Sequence, residues 1–114
     1  MSQTIHDERT AAGCGTMRAV QVVAERKLEI VDLPRPSAPA ANEVQVRIRA
    51  VALNHIDVWG WRGMAFARRT LPIVAGAEAG GEVVAVGDDV RDLAQGDVVA
   101  LYGARTCGAC PACE

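Results

Sequence analysis

The sequence is short of charge bias, of aromatic residues and of long apolar runs, and each shortage closes off a class of function. Fourteen acidic side chains stand against twelve basic ones, a formal net charge of −2. Apart from the pairs Arg26-Lys27 and Arg68-Arg69 the basic residues are scattered, so there is no electrostatic footprint for nucleic acid or an anionic membrane. No apolar stretch approaches the ~20 residues that cross a bilayer, and the polar residues 1–10 are unlike a secretory signal. The expectation is a cytoplasmic protein with neither membrane nor nucleic acid as partner. Aromatics make up only 4% of the chain. Val and Ala are abundant instead, which suits a β-rich core. Internal repeats, a strongly amphipathic helix and a G-x-G-x-x-G opening a helix are all missing, so no dinucleotide fingerprint is present.

Half of the 114 residues are hydrophobic. A chain of this length buries roughly two-thirds of its unfolded surface, enough for one core and not for a second full domain. Residues 1–16 form a polar tail without periodicity and are expected to be disordered. Residues 17–24 and 28–33 are strand-like runs around the charged turn Glu25-Arg26-Lys27, a hairpin. Pro34, Pro36 and Pro39 then mark an extended loop. Residues 43–53 make the clearest strand, with Val44, Val46, Ile48 and Ala50 on one face and Gln45, Arg47 and Arg49 on the other. Residues 55–72 carry Trp59, Trp61 and Phe66 and have room for a turn of helix. Residues 76–86 form another strand, in which Gly80-Gly81 allows a bulge or a close backbone approach. Turns at Gly87-Asp88-Asp89 and Gln95-Gly96-Asp97 precede a last strand over residues 98–102. Short strands between Gly/Pro turns predict a mainly β chain, a partly open barrel or sandwich with minor helices.

Cys107, Cys110 and Cys113 stand at C-x-x-C-x-x-C spacing, with Gly108 and Pro111 shaping a tight loop. Such a loop can aim several thiolates at one point, and Zn²⁺ takes four ligands in a tetrahedron with sulfur at roughly 2.3 Å. Three cysteines leave one position open. The sequence given stops at Glu114, so the chain reads as cut inside its metal site, although Cys14 could complete the set. A disulfide or unligated thiols are the plainer alternative, and a catalytic zinc with three ligands and water is a separate one. A reducing compartment favours metal over disulfide.

The order of a long strand, Ala52-Leu53-Asn54-His55-Ile56-Asp57, Gly76-Ala77-Glu78-Ala79-Gly80-Gly81-Glu82 running on to Gly87, Gly96-Asp97-Val98-Val99 and then the cysteine spacing resembles the zinc-type alcohol dehydrogenases. It is most similar to the N-terminal, GroES-like half of the medium-chain dehydrogenase/reductase superfamily. The resemblance covers about residues 17–114 and implies a partly open GroES-like barrel, incomplete at its C-terminus and lacking the Rossmann domain of that family. In zinc-dependent members the catalytic metal is held by a Cys and a His at the positions of Asn54 and Ala77, and neither residue here replaces them, since a neutral amide binds Zn²⁺ weakly and alanine offers no donor. The catalytic zinc is therefore expected to be absent, and Asn54 with Asp57 is closer to the quinone-oxidoreductase-like branch, which moves hydride without metal. The cysteine cluster resembles the structural-zinc lobe, whose fourth cysteine follows several residues after the third.

Carried over by that resemblance, Asn54 lines the substrate cleft and could hydrogen-bond a carbonyl oxygen, with Asp57 and Glu78 as further candidate catalytic residues. His55 matches a basic residue near the cofactor phosphates. Ile56 takes the place of the Ser or Thr that relays a proton in alcohol oxidation, and Trp59, Trp61 and Phe66 wall the pocket or pack on the barrel. A carboxylate such as Glu78 among small residues would be raised in pKa if buried and unpaired. The reading is part of an NAD(P)-dependent oxidoreductase acting on an alcohol, carbonyl, enone or quinone, with structural zinc on Cys107, Cys110 and Cys113. NAD(P) would be bound mainly by another domain, the full-length form would be a homo-oligomer, and these 114 residues alone would be inactive. A stand-alone zinc-binding or interaction module with the same barrel is the alternative from another class. A co-chaperonin ring is a third reading, one that gives the cysteine loop no role.

Overall fold

The computed structural model describes residues 15–64, 70–103, 107 and 109–112. The expected tail up to residue 14, the Arg68-Arg69 pair, Phe66, Gly108 and Cys113 lie outside the described residues.

Strands β1 (Thr16–Ala24) and β2 (Lys27–Pro34) form the hairpin, antiparallel from Thr16 opposite Pro34 to Ala24 opposite Lys27. The turn is tighter than the charged triplet implies. Lys27 pairs with Ala24, so only Glu25 and Arg26 reverse the chain, and Arg26 takes φ 60°. That left-handed conformation costs a residue with a side chain ~1–2 kcal/mol. Pro34 does not begin the loop but closes β2. The strand lies at the edge of its sheet, in the order β2-β1-β4, where a missing backbone donor is tolerated. The third member, β4 (Ile73–Val74), pairs with Val22 and Gln21 of β1. At two residues it is too short to carry a period-2 pattern.

The second sheet has the order β3-β5-β6, from β3 (Val44–Ala52), β5 (Glu78–Val86) and β6 (Val98–Leu101), all antiparallel. The pairing of β3 with β5 shifts register twice, once by an extra residue in each strand. Gln45 faces Ala85 but Val46 faces Val83, which leaves Val84 extra in β5, whereas Ile48 faces Gly81 and Ala50 faces Gly80, which leaves Arg49 extra in β3. One bulge in each strand restores the original offset at both ends while turning the residues between them. Every residue from Arg47 to Ala52 is exposed, Ile48 and Val51 included, so the face expected to be buried, Val44, Val46, Ile48 and Ala50, is open from Ile48 onward. Between the two bulges the strands approach closely at Gly81, where a Cβ would strike Arg47 O and lie 2.8 Å from Val46 Cγ1.

Val22 and Ile73 are buried in the first sheet, and Val83 of the central strand β5 is fully buried in the second. Helix α1 (His55–Trp61) follows β3. Among the described residues no helix is long and apolar enough to cross a membrane. The chain leaves the second sheet through Leu53 and Asn54 into α1, and returns to it from β4 through Ala75, Gly76 and Ala77. These two crossings frame the candidate site.

Candidate functional site

Asn54 is the N-cap of α1, in extended conformation (φ −132°, ψ −174°). Its Oδ1 accepts from the backbone N–H of Ile56 at 3.2 Å, while Asp57 Oδ2 accepts from the backbone N–H of Asn54 at 3.1 Å. The two side chains thus satisfy donors that the first turn of a helix leaves unpaired. An oxygen must face the Ile56 N–H, so the cap also fixes which way the Asn54 amide is turned.

Asp57 does more than close the cap. Its Oδ1 accepts from Gly76 N–H at 2.9 Å, and Oδ2 accepts a longer contact from Ala77 N–H at 3.4 Å. One carboxylate therefore joins the head of α1 to the return crossing. Gly76 adopts φ +105°, and a Cβ there would strike Val51 Cγ1. A glycine is needed at that point for both reasons.

The far end of α1 is held as well. Arg26 N–H donates to Trp61 O at 2.7 Å, and the Arg26 guanidinium lies 6.0 Å from the centroid of the Trp61 ring. These contacts hold the hairpin turn in its left-handed conformation, at the outer limit of cation–π range. The Trp61 indole N–H is buried without an acceptor among the described residues, so that ring serves packing. The contact of Arg26 with Trp61 is not visible in the sequence, because the two residues are far apart in the chain. The Asn54-x-x-Asp57 spacing of the cap, in contrast, is readable there.

The remaining candidates lie around this knot. His55 is exposed, its ring 6.1 Å from that of Trp59 and tilted by 40°. Trp59 is itself 44% exposed, and Leu53 beside Asn54 is 71% exposed, an apolar rim next to the cap. Glu78 is exposed at the start of β5, one residue beyond Ala77. Away from the site, Lys27 is held above the ordinary lysine value by its hydrogen bond to Glu29, at 2.8 Å, and by that carboxylate's charge.

The donor set does not fit a catalytic zinc. Asn54 Oδ1 is engaged by Ile56 N–H, and Ala77 contributes only its backbone to the junction. Of the cysteines, Cys107 is exposed and Cys110 half-buried. Among the described residues there is no group of three or more His, Cys, Asp or Glu side chains able to hold a metal, and the cysteine triplet as a whole includes Cys113.

Residues 40–114 match the alcohol dehydrogenase GroES-like domain. The L-threonine 3-dehydrogenase of Edwardsiella ictaluri (strain 93-146) is 38% identical over 93 residues, 80% of this chain and 27% of that protein. Among solved structures, an NAD-dependent alcohol dehydrogenase is 45% identical with a TM-score of 0.76, covering 85% of this chain and 29% of that one. The Escherichia coli quinone oxidoreductase complexed with NADPH is 31% identical with a TM-score of 0.66, over 74% of this chain and 26% of that one. The chain thus spans little more than a quarter of the length of the relatives it matches. With its two antiparallel sheets and the short helix between them, it belongs to the family of the alcohol dehydrogenase GroES-like domain.

Proposed function

We propose that this chain is the substrate-side part of an NAD(P)-dependent oxidoreductase that passes hydride between nicotinamide and an alcohol, carbonyl, enone or quinone. The observation that carries the reading is the junction of Asn54, Asp57, Gly76 and Ala77 within a GroES-like domain whose relatives include both alcohol dehydrogenases and a quinone oxidoreductase. Nicotinamide, bound mainly by a domain outside these residues, supplies the hydride chemistry. Asn54, with its Oδ1 committed to the cap, offers only amide N–H donors to a substrate oxygen, which suits a carbonyl. The exposed Trp59 and Leu53 provide apolar walls on which an uncharged substrate can lie, and the exposed His55, next to Asn54 in the chain, is the basic group assigned to the cofactor phosphates. Glu78 is a carboxylate within the same junction and open to solvent. Polarisation and positioning replace Lewis-acid chemistry in this reading.

Zinc belongs instead to Cys107, Cys110 and Cys113 as a structural ion with one further thiolate. The unit of this assignment is residues 17–114, with Thr16 added as the first residue of β1 and the residues before it as a tail, in a cytoplasmic and oligomeric full-length protein.

The test is turnover. The product of the whole reading frame is assayed beside the 114-residue chain, with NAD(P)H and a panel of ketones, enones and quinones, and with NAD(P)+ and alcohols. Turnover by the former and none by the latter is expected. Failure of the whole product on every substrate class sinks the oxidoreductase reading, and turnover by the 114 residues alone sinks the division of labour between domains.

A further inference from the structure

The sequence leaves Asn54, Asp57 and Glu78 as equal candidates for chemistry, but their surroundings in the fold are not equal. Glu78 is open to solvent. Asp57 is half-buried, and both of its carboxylate oxygens face backbone donors from two separate segments: Gly76 N–H on Oδ1, Asn54 and Ala77 N–H on Oδ2. Charge-assisted bonds of this kind are the stronger ones and fix geometry. A carboxylate so occupied is poorly placed to take a proton at a substrate, because three backbone N–H groups already fill most of its roughly four lone-pair sites.

The two segments that it joins come from different places in the fold. One is the exit from the second sheet into α1, and the other is the passage from β4 to β5. Apart from Asp57, no hydrogen bond links Asn54 to residues 76–77 among the described residues. We infer that Asp57 is a positioning residue: its carboxylate sets the distance between Asn54 and Ala77, a job that a bridging metal ion could do in a site built from stronger ligands. The inference rests on reading Asn54 and Ala77 as cleft positions, and it assigns the donor chemistry to Asn54 and leaves Glu78 as the free carboxylate.

The experiment is heteronuclear NMR on the 114-residue chain, and it uses no turnover, so its failure is separate from that of the oxidoreductase reading. In the unmodified chain, a scalar coupling across the hydrogen bond from Gly76 N to the Asp57 carboxyl carbon is expected. Its absence, with the Gly76 amide proton at an unbonded shift, overturns the inference whatever the variants do. In Asp57→Asn, one side-chain oxygen becomes an N–H₂ group that meets a backbone donor, so either the Gly76 amide or the Asn54 and Ala77 amides should lose about tenfold or more of their exchange protection. In Asp57→Ala both sets should lose it. The amides of Gly87 and Gly96, which donate to Glu43 O and Val83 O at 2.8 Å each in the turns beside the second sheet, should keep theirs. Equal loss at Gly87 and Gly96 would make Asp57 a general stability residue and overturn the positioning role, as would unchanged protection at residues 54, 76 and 77.

Discussion

Gly80 and Gly81 are adjacent and look interchangeable in the sequence, yet an alanine should be accepted at one and rejected at the other. A Cβ on Gly81 would strike the Arg47 carbonyl oxygen and sit 2.8 Å from Val46 Cγ1. The first obstacle is backbone of the paired strand, so no flexible side-chain end can swing aside. The site lies between the bulge of β5 and the bulge of β3, two residues from the fully buried Val83, so the strain has to move β3 away from β5. Overpacking of this sort costs ~1–3 kcal/mol, of which the stiffer unfolded chain returns ~0.4–1 kcal/mol. A Cβ on Gly80 meets nothing nearer than Val99 O at 3.6 Å, ordinary contact, so only the unfolded-state gain applies there. Gly81→Ala should therefore lose ~1–2 kcal/mol, lowering Tm by roughly 5–15 °C for a domain of this size. Gly80→Ala should match or slightly exceed the parent. Thermal unfolding by circular dichroism and urea titration with unchanged m-values would measure both. A Gly81→Ala chain as stable as Gly80→Ala would refute the close approach of β3 and β5.

The cap and the hairpin turn give further tests. Asn54→Ala should destabilise the chain by ~0.5–2 kcal/mol in urea unfolding, whereas Asn54→Ser, which still caps, should lose only a few tenths; equal losses would mean that Oδ1 does not cap α1. Arg26→Gly removes ~1–2 kcal/mol of left-handed strain and the Trp61 contact worth ~0.5–1 kcal/mol, so it should be at least as stable as the parent and more stable than Arg26→Ala. The reverse order by thermal melting would contradict the turn conformation. For zinc, metal analysis and thiol counts on protein purified without chelator should find one ion per chain in a form extended by about ten residues along the reading frame, and substoichiometric zinc in the 114-residue chain. Tight stoichiometric zinc in the shorter chain would favour the stand-alone module.

Much of the β framework is legible because strands announce themselves locally. The alternation at Val44, Gln45 and Val46, the turn chemistry of Gly87-Asp88-Asp89 and Gln95-Gly96-Asp97, and the charged reversal at Glu25 are each written within a few neighbouring residues. Helix α1 was harder to read, since seven residues with a glycine and two tryptophans carry little helical periodicity, though Asn54 and Asp57 mark its start. Strand β4 had no signal of its own. Its two residues become a strand only because Val22 and Gln21 lie opposite them.

Composition and residue order by themselves determined a mainly β chain and the family resemblance, and they set the side-chain types at Asn54 and Ala77, because identity decides which donors exist. The tertiary structure decided where those residues meet and what they are left free to do. Asp57 and Gly76 are nineteen residues apart in the chain, and the bond between them depends on the path taken through α1 and β4. The same holds for Arg26 on Trp61, and for the paired bulges that set the register of β3 against β5. Such contacts arise from register and from the crossing of chain between sheets, and a local pattern in sequence carries no term for either.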